Sequence, residues 1–332
     1  MGNYSNAIGI DVSKNKLDVY DYNLKVHMEI ENNDAGFKKM LSWARKNHGE
    51  DIKNVIICFE HTGIYSLPLA MFLNKKGFRY AIVPGLEIKR SLGMARGKND
   101  KIDAYQIARY AYLRREEIKE YKLPSKDILK LKSLLSLRER MVKHRATYQG
   151  NLKELNSFFT KKDNPQLFKS QEKLYKEISQ EISKVEKAML DLIEKDPEVK
   201  RLYNLATSVK GVGLVIGITV IVYTNCFTAF DTWRQFATYV GIAPFEYQSG
   251  TSIKKPKRIN HMANKRIKTL LSNAATTSIQ FNPEMRMYYE KRISQGKSKM
   301  STQNIIRNKI VSRIFAVVKR GTPYVDTLKY AA

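Results

Sequence analysis

The run Val55-Ile56-Ile57-Cys58-Phe59 is apolar at every position and stops on Glu60. A half-exposed strand alternates apolar with polar residues. A run that never alternates suits a strand covered on both faces, in a sheet with helices on each side. A shorter run, Ala7-Ile8-Gly9-Ile10, stops on Asp11 in the same way. Around these runs the chain punctuates itself. Residues 6–22 read as two strands about the polar turn Ser13-Lys14-Asn15-Lys16, and residues 25–30 as a third. Asn33-Asp34 caps a helix with Phe37, Met40, Leu41 and Ala44 on one face. A helix from about 64 to 75 ends at Gly77, a strand at 79–83 is stopped by Pro84-Gly85, and residues 103–115 are helical. The predicted order is β-β-β-α-β-α-β-α.

Three meandering strands followed by crossovers describe an α/β, ribonuclease-H-like mixed sheet with the first strand central and the fourth beside it. Asp11 and Glu60 are then neighbours. Asp100 and Asp103, three apart at the start of the last helix, face the same way and can join them. Clustered carboxylates repel one another unless cations intervene. Two divalent ions about 4 Å apart stabilise both oxygens of an in-line displacement at phosphorus. The expected centre is therefore Asp11, Glu60, Asp100 and Asp103 around Mg²⁺, two ions with Mn²⁺ as a substitute, Asp11 bridging. Asp100 and Asp103 suit a bare helix N-terminus equally well.

The rest of the chain is basic. Lys and Arg number 59 against 32 acids, a net charge of +27, which points to a polyanion and first to nucleic acid. Residues 250–332 hold 18 basic and 3 acidic residues, and no acid lies between Tyr247 and Pro283. Two cysteines, Cys58 and Cys226, exclude a disulfide scaffold and fit a reducing cytoplasm. No Cys/His grouping has zinc spacing. The longest apolar run, 212–223, is too short for a bilayer, and no signal-peptide pattern is present, so no membrane role is expected.

Residues 125–196 carry two helical stripes, Leu131, Leu134, Met141, Tyr148, Leu152, Leu155, Phe159 and then Leu174, Ile178, Ile182, Val185, Met189, Leu192. Asn164-Pro165 parts them, which makes an antiparallel coiled-coil hairpin, either a closed core or a seam that pairs chains. The segment Val209-Lys210-Gly211-Val212-Gly213 follows a helical pattern rather than a strand, and Gly217 falls one position late for a dinucleotide motif. It is similar to a helix-hairpin-helix turn, in which Lys210, Gly211 and Gly213 would approach a phosphate; a tight structural turn fits as well. Further on, Tyr247-Gln248-Ser249-Gly250-Thr251-Ser252 precedes Lys254, Lys255, Lys257, Arg258, Lys265, Arg266 and Lys268. Hydroxyls beside a basic run suit a nucleophile facing DNA phosphates. They also suit a solvated loop and a capped helix.

Ile8-Gly9-Ile10-Asp11-Val12-Ser13-Lys14, Phe59-Glu60-His61-Thr62-Gly63 and Lys98-Asn99-Asp100-Lys101-Ile102-Asp103-Ala104 resemble the DEDD motif of bacterial transposases of the insertion sequence 110 family. Gly211-Val212-Gly213, residues 236–244 from Phe236 to Pro244, Gln248-Ser249-Gly250, Asn282-Pro283 and Tyr288-Tyr289 resemble that family's C-terminal transposase domain. The resemblance implies three parts: a RuvC-like domain over 1–122, a coiled-coil hairpin over 123–200, and a mainly helical transposase domain over 201–332. It implies Ser249 as a nucleophile forming a covalent phosphoserine link, with Thr251, Ser252 and Tyr247 as rivals. It also implies Mg²⁺, donor and target DNA, a structured noncoding bridge RNA that pairs with both DNAs, and a homo-oligomer, dimer to tetramer. One chain's serine is then expected to serve another chain's carboxylates. A pilin-inverting type of DNA invertase shares the motifs, and a RuvC-like structure-selective nuclease needs the carboxylates alone.

Overall fold

β1 (Asn6–Val12) turns back through Ser13 into β2 (Lys16–Asp21), and β2 turns into β3 (Val26–Glu31), all antiparallel. The first turn is held by Ser13, whose Oγ donates to the Lys16 carbonyl at 2.7 Å. The structure is a computed structural model; it describes residues 4–91, 99–249, 253–259 and 263–326, with backbone alone at 246–249 and 253–258. The chain divides into two units, 1–123 and 124–332.

In the first unit α1 (Asp34–His48) crosses to β4 (Val55–Glu60), which pairs parallel with β1, and α2 (Leu67–Lys75) crosses to β5 (Tyr80–Val83), parallel with β4. The Asn33 side chain accepts from Gly36 N at the start of α1, as its sequence position predicts. The sheet order is β3-β2-β1-β4-β5, so β1 is central and β4 beside it. β4 is buried on both sides. Val55, Ile57 and Phe59 join the core with Phe37, Met40, Leu69 and Leu73 of α1 and α2. Ile56 and Cys58 join the opposite core with Ile107, Tyr110 and Ala111. Those last residues belong to α4 (Asp100–Leu113).

Two expectations need correction. Pro84-Gly85 does not simply stop β5 but opens a further helix, α3 (Gly85–Ser91). α4 begins at Asp100 rather than Asp103, because Asn99 is its N-cap and accepts from Ile102 N at 2.8 Å. Asp100 is therefore the first helical residue and not a cap. The approach of α4 to the sheet depends on Gly9: a Cβ there would overlap the backbone of Ala104 and Ala108. With nothing but hydrogen at position 9 and methyls at 104 and 108, α4 lies directly on β1.

In the second unit α5 (Lys126–Leu155) and α6 (Pro165–Lys195) form a helical hairpin. Its buried stripe is Ile128, Leu131 and Leu135 against Val185, Met189 and Ile193; the predicted Leu134 and Leu192 flank it, half-buried. That core is continuous with α7 (Pro197–Ser208) and α8 (Leu214–Tyr223) through Leu202, Ile218 and Ile221. Toward the bend the stripe loses its cover, and Phe158 is 81% exposed. α9 (Trp233–Val240) leads through Ile242 into β6 (Pro244–Ser249), paired antiparallel with β7 (Ile253–Ile259). α10 (Lys265–Phe281), α11 (Pro283–Ser294) and α12 (Lys299–Arg320) complete the unit around Phe236, Leu271, Ile310 and Ile314. Among the described residues, no helix is long and apolar enough to cross a membrane.

Candidate active site

Successive strand residues alternate between faces, so Asp11 points to the same side as Gly9, the side covered by α4. Its neighbours come from three directions. Asp18 lies opposite it in register on β2. Glu60 ends β4. Asp100 and Asp103 occupy the first turn of α4. Burial pushes the Asp11 carboxyl up from 3.8 to about 6, and the charges of Asp103, Asp100, Asp18 and Glu60, in that order, push in the same direction. The other three carboxylates expected from sequence thus all act on Asp11, and Asp18 is a further acid that sequence reading missed. A signal for it existed: a hairpin turning about residues 14–15 sets 11 opposite 18.

Counter-charge is sparse. Asp18 is 4% exposed and pairs with His27 Nε2 at 2.8 Å. Lys16 Nζ lies 3.0 Å from Asp100 Oδ2, 3.0 Å from Glu29 Oε2 and 3.7 Å from Asp18 Oδ2. One ammonium therefore serves three acids beside Asp11. The Glu60 carboxylate folds over Gly85, where any Cβ would overlap it. Among the described residues, no group of three or more His, Cys, Asp or Glu side chains is placed to hold a metal ion. The donors are nonetheless hard oxygens, and Asp11 carries uncompensated negative surroundings. Mg²⁺ commonly takes one or two carboxylates and completes its shell with water and substrate phosphate, so this donor set fits it without a closed cage. Burial pushes the Cys58 thiol far up and the Cys226 thiol to about 11, which leaves neither as a nucleophile near neutrality.

The second unit holds the remaining sequence candidates. Ser249 is the last residue of β6, paired with Ile253, and Gln248 pairs with Lys254. Lys255, Lys257 and Arg258 lie along β7, and Tyr247 along β6. Gly250, Thr251 and Ser252 fall outside the described residues. The hydroxyl segment is thus flanked by a two-stranded ribbon rather than standing in a plain loop. Gly211 takes φ +89°, which a side chain rarely adopts, and a Cβ there would overlap Ser278 Oγ on α10. Ser278 donates to the Lys210 carbonyl at 3.2 Å, and the Lys210 ammonium pairs with Asp326. That turn is packed on α10, while Gly213 opens α8 with free space around it. Arg266 is committed elsewhere: it meets Glu139 Oε2 at 2.9 Å and donates to the Leu135 carbonyl at 2.7 Å. Lys265 is exposed and Lys268 half-buried.

Residues 8–158 match the transposase description that carries the DEDD motif of IS110, and residues 203–290 match the transposase IS116/IS110/IS902 family. The chain is similar along its length to the pilin gene-inverting proteins of Moraxella bovis and Moraxella lacunata. It is 26% identical to each over 326 residues, 96% of this chain and 97% of theirs. It is 30% identical over 129 residues, 38% of this chain and 31% of the other, to an uncharacterized 43.6 kDa protein of insertion element IS110 from Streptomyces coelicolor. An acidic centre on a mixed sheet, in a strongly basic chain with these relatives, defines an enzyme that cuts and joins DNA. The chain belongs to the IS110 family of transposases.

Proposed function

We propose that this transposase is a site-specific recombinase of a bacterial insertion sequence, with a Mg²⁺-dependent carboxylate centre on a RuvC-like sheet and Ser249 as nucleophile. The observation that carries the first half is Asp11, half-buried and raised to about 6 with four other acids acting on it. Such a group gains from a hard cation more than an ordinary surface carboxylate does. Asp11, Glu60 and Asp103 are the residues that would hold it first, and Asp100 could join them on leaving Lys16. When bound, Mg²⁺ supplies charge neutralisation at the reacting phosphate. The strand order with β1 central and β4 adjacent supports the RuvC-like assignment.

Ser249 lies at the end of a ribbon whose return strand carries Lys254, Lys255, Lys257 and Arg258. Its Oγ forms the bond to phosphorus, its proton passes to a base, and the deoxyribose oxygen leaves with a proton. The phosphoserine ester keeps the linkage ready for rejoining. Basic residues over 250–332 suit donor and target DNA and also a structured bridge RNA. Assembly of several chains is supported by the exposed end of the hairpin, where Phe158, Phe159 and Leu174 are 81%, 50% and 38% exposed. A second reading, DNA inversion of the pilin-gene type, is favoured by the nearly end-to-end similarity to the Moraxella proteins.

The test is covalent trapping. Protein incubated with element-end DNA and Mg²⁺, then denatured, should carry a DNA adduct that is lost in Ser249→Ala while DNA binding is kept. An adduct that survives Ser249→Ala and disappears in Tyr247→Phe moves the nucleophile. Cut DNA with no adduct at any time makes the chain a hydrolytic nuclease. RNA guidance fails if purified protein holds no discrete RNA and recombination survives ribonuclease.

A further inference from the structure

Arg307 lies on α12 and is 5% exposed. A buried guanidinium is ordinarily paired with a carboxylate, because taking an unpaired charge out of water is strongly unfavourable. Three half-buried arginines of this unit obey the rule: Arg313 meets Glu284 at 2.5 Å, Arg266 meets Glu139, and Arg138 meets Glu186 at 2.7 Å. Arg307 does not. Among the described residues its Nε has no hydrogen-bond partner. Its Nη1 and Nη2 reach only the amide oxygens of Asn304 at 3.4 Å and Gln303 at 3.3 Å. Among the described residues, burial is what acts on the guanidinium, pushing it down. Of its five N–H donors, two are used in long contacts.

The place matters as much as the missing acid. Asn304 Nδ2 and Asn308 Nδ2 both donate to the Ile242 carbonyl, at 2.9 and 3.0 Å, and Ile242 stands two residues before β6. Gln303 Nε2 donates to Thr276 Oγ1 of α10 at 2.9 Å. Arg307 therefore sits at the root of the β6–β7 ribbon, between the strand's entry and α10. Gln303 and Asn304 are themselves half-buried, so the guanidinium lies one side-chain layer from solvent. Two weak contacts to neutral amides are readily exchanged for a charged acceptor, since a planar guanidinium binds phosphate oxygens in pairs, with shorter and stronger bonds.

We propose that Arg307 is an anion receptor at the root of the ribbon that takes one backbone phosphate of the DNA strand. Gln303 and Asn304 yield their places to the phosphate oxygens. The inference rests on the reading that this ribbon handles DNA, and not on which of its hydroxyls is the nucleophile.

The experiment uses the full chain carrying Ser249→Ala, with Arg307→Met and Arg307→Lys added separately. Binding of a labelled random-sequence duplex DNA is followed by fluorescence anisotropy across a salt series, beside thermal melting. Arg307→Met should melt at or above its parent, because an unpaired buried charge has been removed. It should bind duplex about tenfold more weakly, as loss of a charge-assisted contact implies. The slope of log affinity against log salt should shrink by about 0.9, one phosphate. Arg307→Lys should keep the slope and lose part of the affinity, having charge without the fork. Unchanged affinity and slope in Arg307→Met overturns the proposal. If Arg307→Met does not fold, full affinity in Arg307→Lys overturns it instead. A slope change seen with a labelled RNA hairpin and not with duplex DNA overturns the DNA assignment. Failure of the Ser249 reading shows as a missing covalent adduct in the chain with Ser249 intact and leaves these slopes untouched.

Discussion

Asp11→Asn should make the folded first unit more stable while abolishing catalysis. The Asp11 carboxyl rises from 3.8 to about 6 in the folded chain, first through burial and then through Asp103, Asp100, Asp18 and Glu60. Two units correspond to about 3 kcal/mol for a fully buried group. Asp11 is only half-buried, and solvent screening reduces this to about 1–2 kcal/mol. Because its folded value lies above its unfolded one, the folded chain binds more protons between about pH 4 and pH 6. Stability therefore falls across that window, and the full penalty applies above it. Asparagine keeps the shape and removes the charge. The variant should match the parent near pH 4 and exceed it by about 1–2 kcal/mol above pH 7. Trp43 on α1 reports on this unit; in a Trp233→Phe background its fluorescence followed through a urea titration measures the difference. Mg²⁺ should stabilise the parent more than Asp11→Asn and so narrow the gap. A variant no more stable than its parent above pH 7, or a gap that ignores pH, would refute the electrostatic account.

Two further substitutions probe the same centre. Lys16→Met frees Asp100, Glu29 and Asp18 from their shared ammonium, so Mg²⁺ binding measured by titration calorimetry should tighten, by about two- to fivefold, the range an exposed ion pair covers. Weaker or unchanged binding would show that Lys16 does not compete for these acids. Gly85→Ala should leave the melting temperature within a few degrees, because the group in its way is the mobile end of Glu60. DNA cleavage should fall by about 10²-fold once that carboxylate is turned aside, and full activity would mean Glu60 need not rest on Gly85.

The unbroken apolar run 55–59 told the truth about both cores, since Ile57 and Phe59 enter one and Ile56 and Cys58 the other. Asp11 and Glu60 follow as neighbours once the strand order places β4 beside β1. Lys16 and Asp18 were harder to see because their part is set by hairpin register, which a residue-by-residue reading does not compute. α3 was hidden behind Pro84-Gly85, a pair that stops a strand as readily as it opens a helix. The β6–β7 ribbon was hidden by its chemistry. Lys254, Lys255, Lys257 and Arg258 do not alternate as a half-buried strand should, and Pro256 argues against a central one; a two-stranded ribbon has only edges and tolerates both. Arg307 could have been flagged. It falls on the stripe of Ile310 and Ile314, three and seven residues on, where an arginine breaks the apolar pattern and no acid stands on the same helix.

Charge placement in this chain separates holding DNA from cutting it. The acids near Asp11 repel phosphate as well as Asp11 itself, so the first unit's centre on its own disfavours a DNA strand. Lys16 offsets one part of that repulsion and is shared among three carboxylates. The surplus of basic residues lies instead in 250–332, where the acids number 3 against 18. A phosphate drawn by that surplus and by the unpaired guanidinium of Arg307 arrives regardless of cations. Entry to the neighbourhood of Asp11 requires that its negative charge first be neutralised. Binding should therefore lose affinity steeply with salt whether or not Mg²⁺ is present, while cutting should demand Mg²⁺ even at saturating DNA. On the proposed Mg²⁺-dependent reading, such an arrangement would let the chain survey DNA widely and keep phosphodiester chemistry silent until the cations are in place.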